Sequence, residues 1–235
     1  MEGDTHMAIS ELVQSLKGKL IVSVQAYPGE PLRTPEFMAA MARACELGGA
    51  AAIRCQGLSD ISAIKGRVEV PVIGLWKEGH EGVYITPTLR HALACVWAGA
   101  DIVAIDATDR PRPDGRTFAE TVAALREQVD TLIMADCATI EDIRNAVACG
   151  CDIASTTLSH GKAAIDTTLD DGPDIALLAQ ATSEFPDFPV ICEGHVHTPA
   201  DARKAMDAGA WAVVAGTGIT HPTSITSWFK AAVEA

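Results

Sequence analysis

The chain has 235 residues, of which 48% are hydrophobic but only 5% aromatic, and its formal net charge is -13 at pH 7. That length suits one large domain, and a core of Val, Ile, Leu and Ala rather than aromatic rings suits parallel strands buried on both faces. The acidic balance argues against a nucleic-acid or anionic-membrane footprint, which rewards clustered Lys and Arg, so an anionic substrate must be held locally.

Taken in chain order, residues 1–15 read as an N-terminal extension and residues 16–235 as a single catalytic domain. Met1 to Met7 lack the basic and then apolar order of a secretory leader, and no run of about 18 apolar residues occurs. Predicted strands fall at Leu20–Gln25, Ala51–Arg54, Val72–Trp76, Ile102–Asp106, Thr131–Asp136, Ile153–Thr157, Val190–Glu193 and Val213–Gly216. Ala-rich helices run between them with repeated punctuation. Thr86 is expected to begin a helix that stops near Ala98-Gly99-Ala100, Thr139 one that ends at Gly150, and Thr198-Pro199 one that ends at Ala208-Gly209-Ala210. Thr accepts a hydrogen bond from an orphan N–H at a helix start, Pro loses nothing at the first position, and Gly tolerates the left-handed turn past the end. Eight such βα units predict an α/β fold, a (β/α)8 TIM barrel. The first turn, Ala26-Tyr27-Pro28-Gly29, is no dinucleotide fingerprint, which disfavours a doubly wound open sheet.

The seven cysteines are scattered, and Cys45, Cys95, Cys149 and Cys192 lie in apolar runs, so reduced thiols and a cytoplasmic location are expected. Cys149 and Cys151 have no matching second pair, and a metal or redox role for them is discounted.

Working residues of this fold cluster where the strands finish. Those positions deliver Gln25, Arg54, Lys77, Asp106, Asp136, Thr156 with Thr157, Glu193 and Gly216-Thr217-Gly218. Lys77 follows an apolar strand, so a hydrophobic wall at the barrel mouth is expected to lower its pKa and free the amine as base or nucleophile; the alternative is an ion pair with Asp106 or Glu193. Glu193 could serve as general acid, general base or the charge partner of Lys77. Gly194 leaves the backbone open beside it, and the glycines after the last strand predict a phosphate cradle. His195 and His197, one residue apart, suggest a metal site only weakly, because the loop has begun at Gly194.

With those residues in place, the chain resembles the N-acetylmannosamine-6-phosphate 2-epimerases of bacterial sialic acid catabolism. The resemblance runs from about Leu16 to the C-terminus, through LIVSVQAYPGEPL, DISAIK, PVIGLWK, VYITPT, GADIVAIDATDRPRPDG, MADCAT, STTLS, VICEG and VVAGTGIT. It implies an isomerase in which Lys77 moves the proton at C2 with Glu193 close by, and Gln25, Arg54 and Asp136 contact the sugar and its N-acetyl group. Thr156, Gly194, Gly216, Thr217, Gly218 and His221 complete the expected substrate contacts, the glycine loop holding the phosphate. No cofactor and no metal are expected. The expected partner is a small-molecule sugar phosphate, with no nucleic acid and no membrane, and a homodimer is left open.

The chain departs from the family pattern at His195 and His221, where an arginine or lysine is usual, at Ser159-His160-Gly161-Lys162, and in a shortened segment from Lys77 to Val83. If His221, helped by His195, held the phosphate, binding should weaken as pH rises. Two other activities compete: a Schiff-base aldolase or lyase working through Lys77, and a non-catalytic sugar-phosphate-binding barrel.

Overall fold

Strands joined by helical crossovers can run parallel, and eight of them can close on themselves. In a computed structural model of the protein, which describes residues 11–160, 168–169 and 171–234, all eight expected strands form. They are β1 (Leu20–Val24), β2 (Ala52–Gln56), β3 (Val72–Leu75), β4 (Ile102–Asp106), β5 (Leu132–Asp136), β6 (Ile153–Ser155), β7 (Val190–Cys192) and β8 (Ala212–Ala215). Each pairs in parallel with the next, and β8 returns to β1 with Val213 beside Leu20, so the sheet is a closed barrel. The helices are α1 (Pro35–Leu47), α2 (Leu58–Lys65), α3 (Leu89–Trp97), α4 (Phe118–Arg126), α5 (Ile140–Ala148), α6 (Ile175–Glu184), α7 (Pro199–Asp207), the short α8 (Thr217–Thr220) and α9 (Pro222–Glu234). Gly161 and Lys162 lie outside the described residues.

Side chains alternate along every strand, which divides the core in two. One set, with Ile21, Ala52, Ile73, Ile102, Leu132, Ile153, Ile191 and Ala212, fills the barrel interior. The other, with Val22, Ile53, Val72, Val103, Ile133, Ala154, Val190 and Val213, packs outward under the helices. Residues 11–15 are helical, and Val13 and Leu16 join the interior set at its lower end, where the Trp211 Nε1 donates to the Val13 carbonyl at 3.0 Å. Among the described residues the strand ends at the upper end form a polar mouth.

Local punctuation is as expected at two of the three helix starts. Thr139 and Thr198 each cap a helix reciprocally, with Asp142 and Asp201 three residues on. The third expectation is corrected. Helix α3 starts after Thr88, whereas Thr86 has a φ of 46° and belongs to the loop before it. The Thr86 N–H donates to the Trp76 carbonyl at 2.8 Å, and its hydroxyl accepts from the Trp76 N–H at 3.2 Å. These bonds close a hairpin in which Lys77 pairs antiparallel with Ile85. The two residues of Thr-Pro that follow Ile85 thus lead into the helix rather than starting it.

Candidate active site

Because alternation places every second residue inward, the positions just past the interior layers all face the mouth: Ser23 and Gln25, Arg54 and Gln56, Lys77, Thr157, Glu193 and Gly216. These line a cavity of about 1100 Å³, together with Tyr27, Tyr84, Arg110, Gly194, His195, Thr217 and His221.

The centre is a buried charge network. Arg54, 2% exposed, bonds Asp136 at 2.6 Å with one terminal nitrogen and Glu193 at 2.7 Å with the other. The Thr157 hydroxyl stands 2.8 Å from the second oxygen of Asp136 and 3.1 Å from that of Glu193, so its single proton serves two acceptors. Ser155 also donates to Asp136, at 3.0 Å. One guanidinium cannot neutralise two carboxylates. Burial, with Asp136 as the second anion, accordingly pushes Glu193 up to about 7 against the pull of Arg54.

Lys77 stands at the edge of this network. Its Nζ donates to Gln25 Oε1 at 2.8 Å, and the Gln25 amide donates to Ser23 at 2.9 Å. Burial, reinforced by the nearby Arg54 charge, lowers the Lys77 ammonium to about 8. The lysine makes no ion pair with Asp106. That carboxylate is fully buried and holds Thr108 and Arg110 instead. Lys77 and Glu193 thus share one cavity, each shifted toward neutrality, as acid–base groups working near pH 7 should be.

Three of the expected substrate contacts do not line the cavity: Asp136, which is fully buried and bonded to Arg54, Thr156 and Gly218. Thr156 points outward between strands: it is fully buried, it does not line the cavity, and its hydroxyl bridges the Glu193 carbonyl at 2.7 Å and N–H at 3.1 Å. Thr157 occupies the inward position, as a count of two residues from Ile153 through Ser155 would have shown. Gly218 packs in α8 against the His197 backbone, where a Cβ would come within 2.3 Å of the carbonyl oxygen. It is required for that close approach and does not line the cavity. Gly194, Gly216 and Thr217 do line it, at the end opposite Lys77's hairpin. Gly194 has a φ of 99°, a left-handed conformation that a side chain would strain.

The histidines at the mouth are each held by partners within the protein. His221 reaches the cavity wall, but its Nδ1 meets Ser224 at 2.6 Å and its Nε2 is bonded to Glu30, so both ring nitrogens are engaged. Its ring also stands edge-on to Tyr27, 5.5 Å between centroids. It fastens the loop after β1 to the start of α9. His195 adopts a φ of 58° and stacks on His160 at 4.0 Å, while the His197 ring lies 4.9 Å from Trp228. Among the described residues no group of three or more His, Cys, Asp or Glu is arranged to hold a metal ion. All seven cysteines are free, Cys149 and Cys151 included.

Comparison with known proteins accords with this geometry. The family model described as "NanE: Putative N-acetylmannosamine-6-phosphate epimerase" matches residues 38–235. A protein of Cutibacterium acnes named "Putative N-acetylmannosamine-6-phosphate 2-epimerase" is 55% identical over 223 residues, covering 94% of this chain and 96% of its own length. A Corynebacterium glutamicum protein of the same name is 46% identical over 229 residues, covering 96% and 97%. The solved structure of the N-acetylmannosamine-6-phosphate 2-epimerase from Clostridium perfringens superposes with a TM-score of 0.86 at 38% identity, over 94% of this chain and 96% of that one. The chain belongs to the N-acetylmannosamine-6-phosphate epimerase family.

Proposed function

We propose that the protein interconverts N-acetylmannosamine 6-phosphate and N-acetylglucosamine 6-phosphate by removing and returning the proton at C2. The observation that carries this reading is the pair of Lys77 and Glu193 in one cavity, with values near about 8 and about 7. With Arg54 largely balanced by Asp136, the pair holds one proton between about pH 7 and 8, chiefly on Lys77. The reacting form is the minor one in which that proton has moved to Glu193, and moving it between amine, carboxyl and C2 is what a reversible epimerisation needs. In the ring-opened sugar the C2 hydrogen lies beside the C1 aldehyde and is acidified by it. Neutral Lys77 takes the proton, charge develops on the C1 oxygen, and protonated Glu193 donates toward it. Preorganised donors at such an oxyanion are worth roughly 3 kcal/mol each.

Gln25 fixes the Lys77 amine, and Arg54, paired with the fully buried Asp136, sets the charge state of Glu193; Arg54 itself borders the space for the sugar and its N-acetyl group. The phosphate is assigned to the other end, where Gly194 and Gly216 leave backbone open and the Thr217 N–H, at the start of α8, has no helical acceptor. A Schiff-base reaction at Lys77 is the competing chemistry, and borohydride reduction with substrate would leave an adduct on Lys77 if it operated. The direct test is proton NMR of N-acetylmannosamine 6-phosphate with the protein in D2O. Deuterium at C2 together with the gluco epimer supports the reading, and neither appearing refutes it.

Among the described residues no helix is long and apolar enough to cross a membrane. The free, mostly buried thiols support a reducing compartment, and we assign the cytoplasm. A homodimer is proposed through α9, in which no residue is buried and Phe229 and Val233 are 71% and 83% exposed. Sedimentation of wild type against Phe229→Glu tests it: loss of a dimer supports the assignment, and a monomeric wild type overturns it.

A further inference from the structure

His91, in the first turn of α3, is 2% exposed, and nothing in the chemistry above uses it. Its Nε2 meets Glu78 Oε2 at 2.9 Å and its Nδ1 meets the Thr88 hydroxyl at 2.7 Å. A carboxylate only accepts, whereas the threonine hydroxyl can donate, so a neutral imidazole protonated on Nε2 satisfies both bonds at once. The ring also packs on Trp76, with centroids 4.4 Å apart. Trp76 and Glu78 are the two residues that flank Lys77 in the chain. One buried imidazole therefore holds both neighbours of the lysine.

Of the other backbone bonds in this segment, Glu78 N–H to Tyr84 carbonyl and Thr86 N–H to Trp76 carbonyl close the hairpin on itself, and the Asp106 N–H, donating to the Ile85 carbonyl at 3.2 Å, holds its returning strand to β4. The strand that carries Lys77 is tied to α3 by the buried His91 and, from the exposed side, by Arg90, 3.6 Å from Glu78. We infer that His91, acting through Glu78 and Trp76, is a positioning residue that sets the depth at which the Lys77 amine stands in the cavity. The inference rests on Lys77 being the C2 base. The groups that face Lys77 are Gln25 and Tyr27 after β1, Arg33 before α1, Arg54 on β2, Asp136 on β5 and Glu193 after β7. Those that act on His91 are Glu78, Arg90 and Asp114. Since burial is the largest cause of the lowered Lys77 value, a hairpin released from α3 lets water reach the amine and its pKa climbs.

The test follows Lys77 directly by ¹³C NMR of protein labelled at the lysine ε-carbons, with Lys77→Met assigning the signal, alongside kcat and KM. Glu78→Ala changes an exposed carboxylate and should leave the fold intact; His91→Leu removes both bonds; Glu78→Gln keeps an oxygen that can accept from Nε2–H. In Glu78→Ala and His91→Leu the Lys77 titration should move from about 8 toward the ordinary lysine range. With it, kcat should fall about 10- to 100-fold, the effect of a misplaced reacting group, with KM little changed. Glu78→Gln should restore both. Variants that lower Tm but leave the Lys77 titration and kcat as in wild type overturn the inference. If Lys77→Met itself still exchanged the C2 proton, the base assignment would fall, while a shifted Lys77 titration in Glu78→Ala would still show the positioning.

Discussion

Arg54→Leu removes the cation that bonds both buried carboxylates. The guanidinium stands 2.6 Å from Asp136 and 2.7 Å from Glu193, and neither it nor Asp136 is more than 2% exposed. Deleting one partner of a buried pair costs about 3–5 kcal/mol, because the remaining charge is left uncompensated. In a chain of this length each kcal/mol shifts Tm by about 2–4 °C, so the midpoint should fall by about 6–20 °C at pH 7. The pH dependence has a definite sign. Glu193 already keeps its proton up to about 7 with Arg54 present, and without that cation it keeps it to higher pH. A glutamate in the unfolded chain titrates near ~4.3. Above pH 7 the folded variant therefore carries a proton that neither its unfolded chain nor folded wild type carries, and its deficit widens with pH by up to about 1.4 kcal/mol per unit. Calorimetric melts of both proteins from pH 6 to 9 measure this. A deficit under about 1 kcal/mol at pH 7, or one that narrows as pH rises, would refute the buried-network account.

Glu193→Gln should lower kcat strongly, and a change confined to KM would make Glu193 a binding residue; wild-type kcat/KM should be bell-shaped with apparent limbs near about 7 and about 8 that belong to the Lys77–Glu193 pair, and a flat profile contradicts this. Thr157→Val should reduce kcat, whereas Thr156→Val should chiefly cost about 1–3 kcal/mol of stability by stranding the Glu193 backbone groups; the reverse pattern in unfolding and steady-state assays would return the site role to Thr156. His221→Ala should lower Tm by freeing Glu30 and leave the pH dependence of binding of a non-reacting sugar 6-phosphate unchanged. A pH-dependent weakening that vanished in His221→Ala would restore His221 as a phosphate ligand.

The barrel was legible because its signal is repeated eight times: short β-branched runs, Thr or Pro helix starts and Gly stops recur, and each strand lies within two residues of its expected bounds. The ends of the strands were legible too, since a polar residue after an apolar run stands out at Gln25, Arg54, Lys77, Asp136 and Glu193. What failed was finer. Thr156 and Thr157 differ only in which way the chain faces, and the answer lay in the period of two counted along β6 rather than in residue type. Thr86 resembles a helix start in isolation. Its role in the Lys77 hairpin depends on Trp76, ten residues earlier, and on a positive φ that no propensity favours in threonine. His221 read as a stand-in for a basic phosphate ligand, but its partner Glu30 lies 191 residues away, a pairing only the closed barrel creates. The charge network has the same origin: Arg54, Asp136 and Glu193 come from β2, β5 and the end of β7, and nothing local in the chain couples them.

The claim on which the rest depends is that the Lys77 amine moves the C2 proton. Exchange of that proton for deuterium in N-acetylmannosamine 6-phosphate, followed by NMR in D2O with wild type and with Lys77→Ala of matched Tm, tests it most directly. The account predicts rapid exchange and appearance of the gluco epimer with wild type, and for Lys77→Ala a rate below about one-hundredth of that, since general acid–base groups contribute roughly 10²–10⁴-fold. A folded Lys77→Ala that exchanged C2 at a rate comparable to wild type would contradict it.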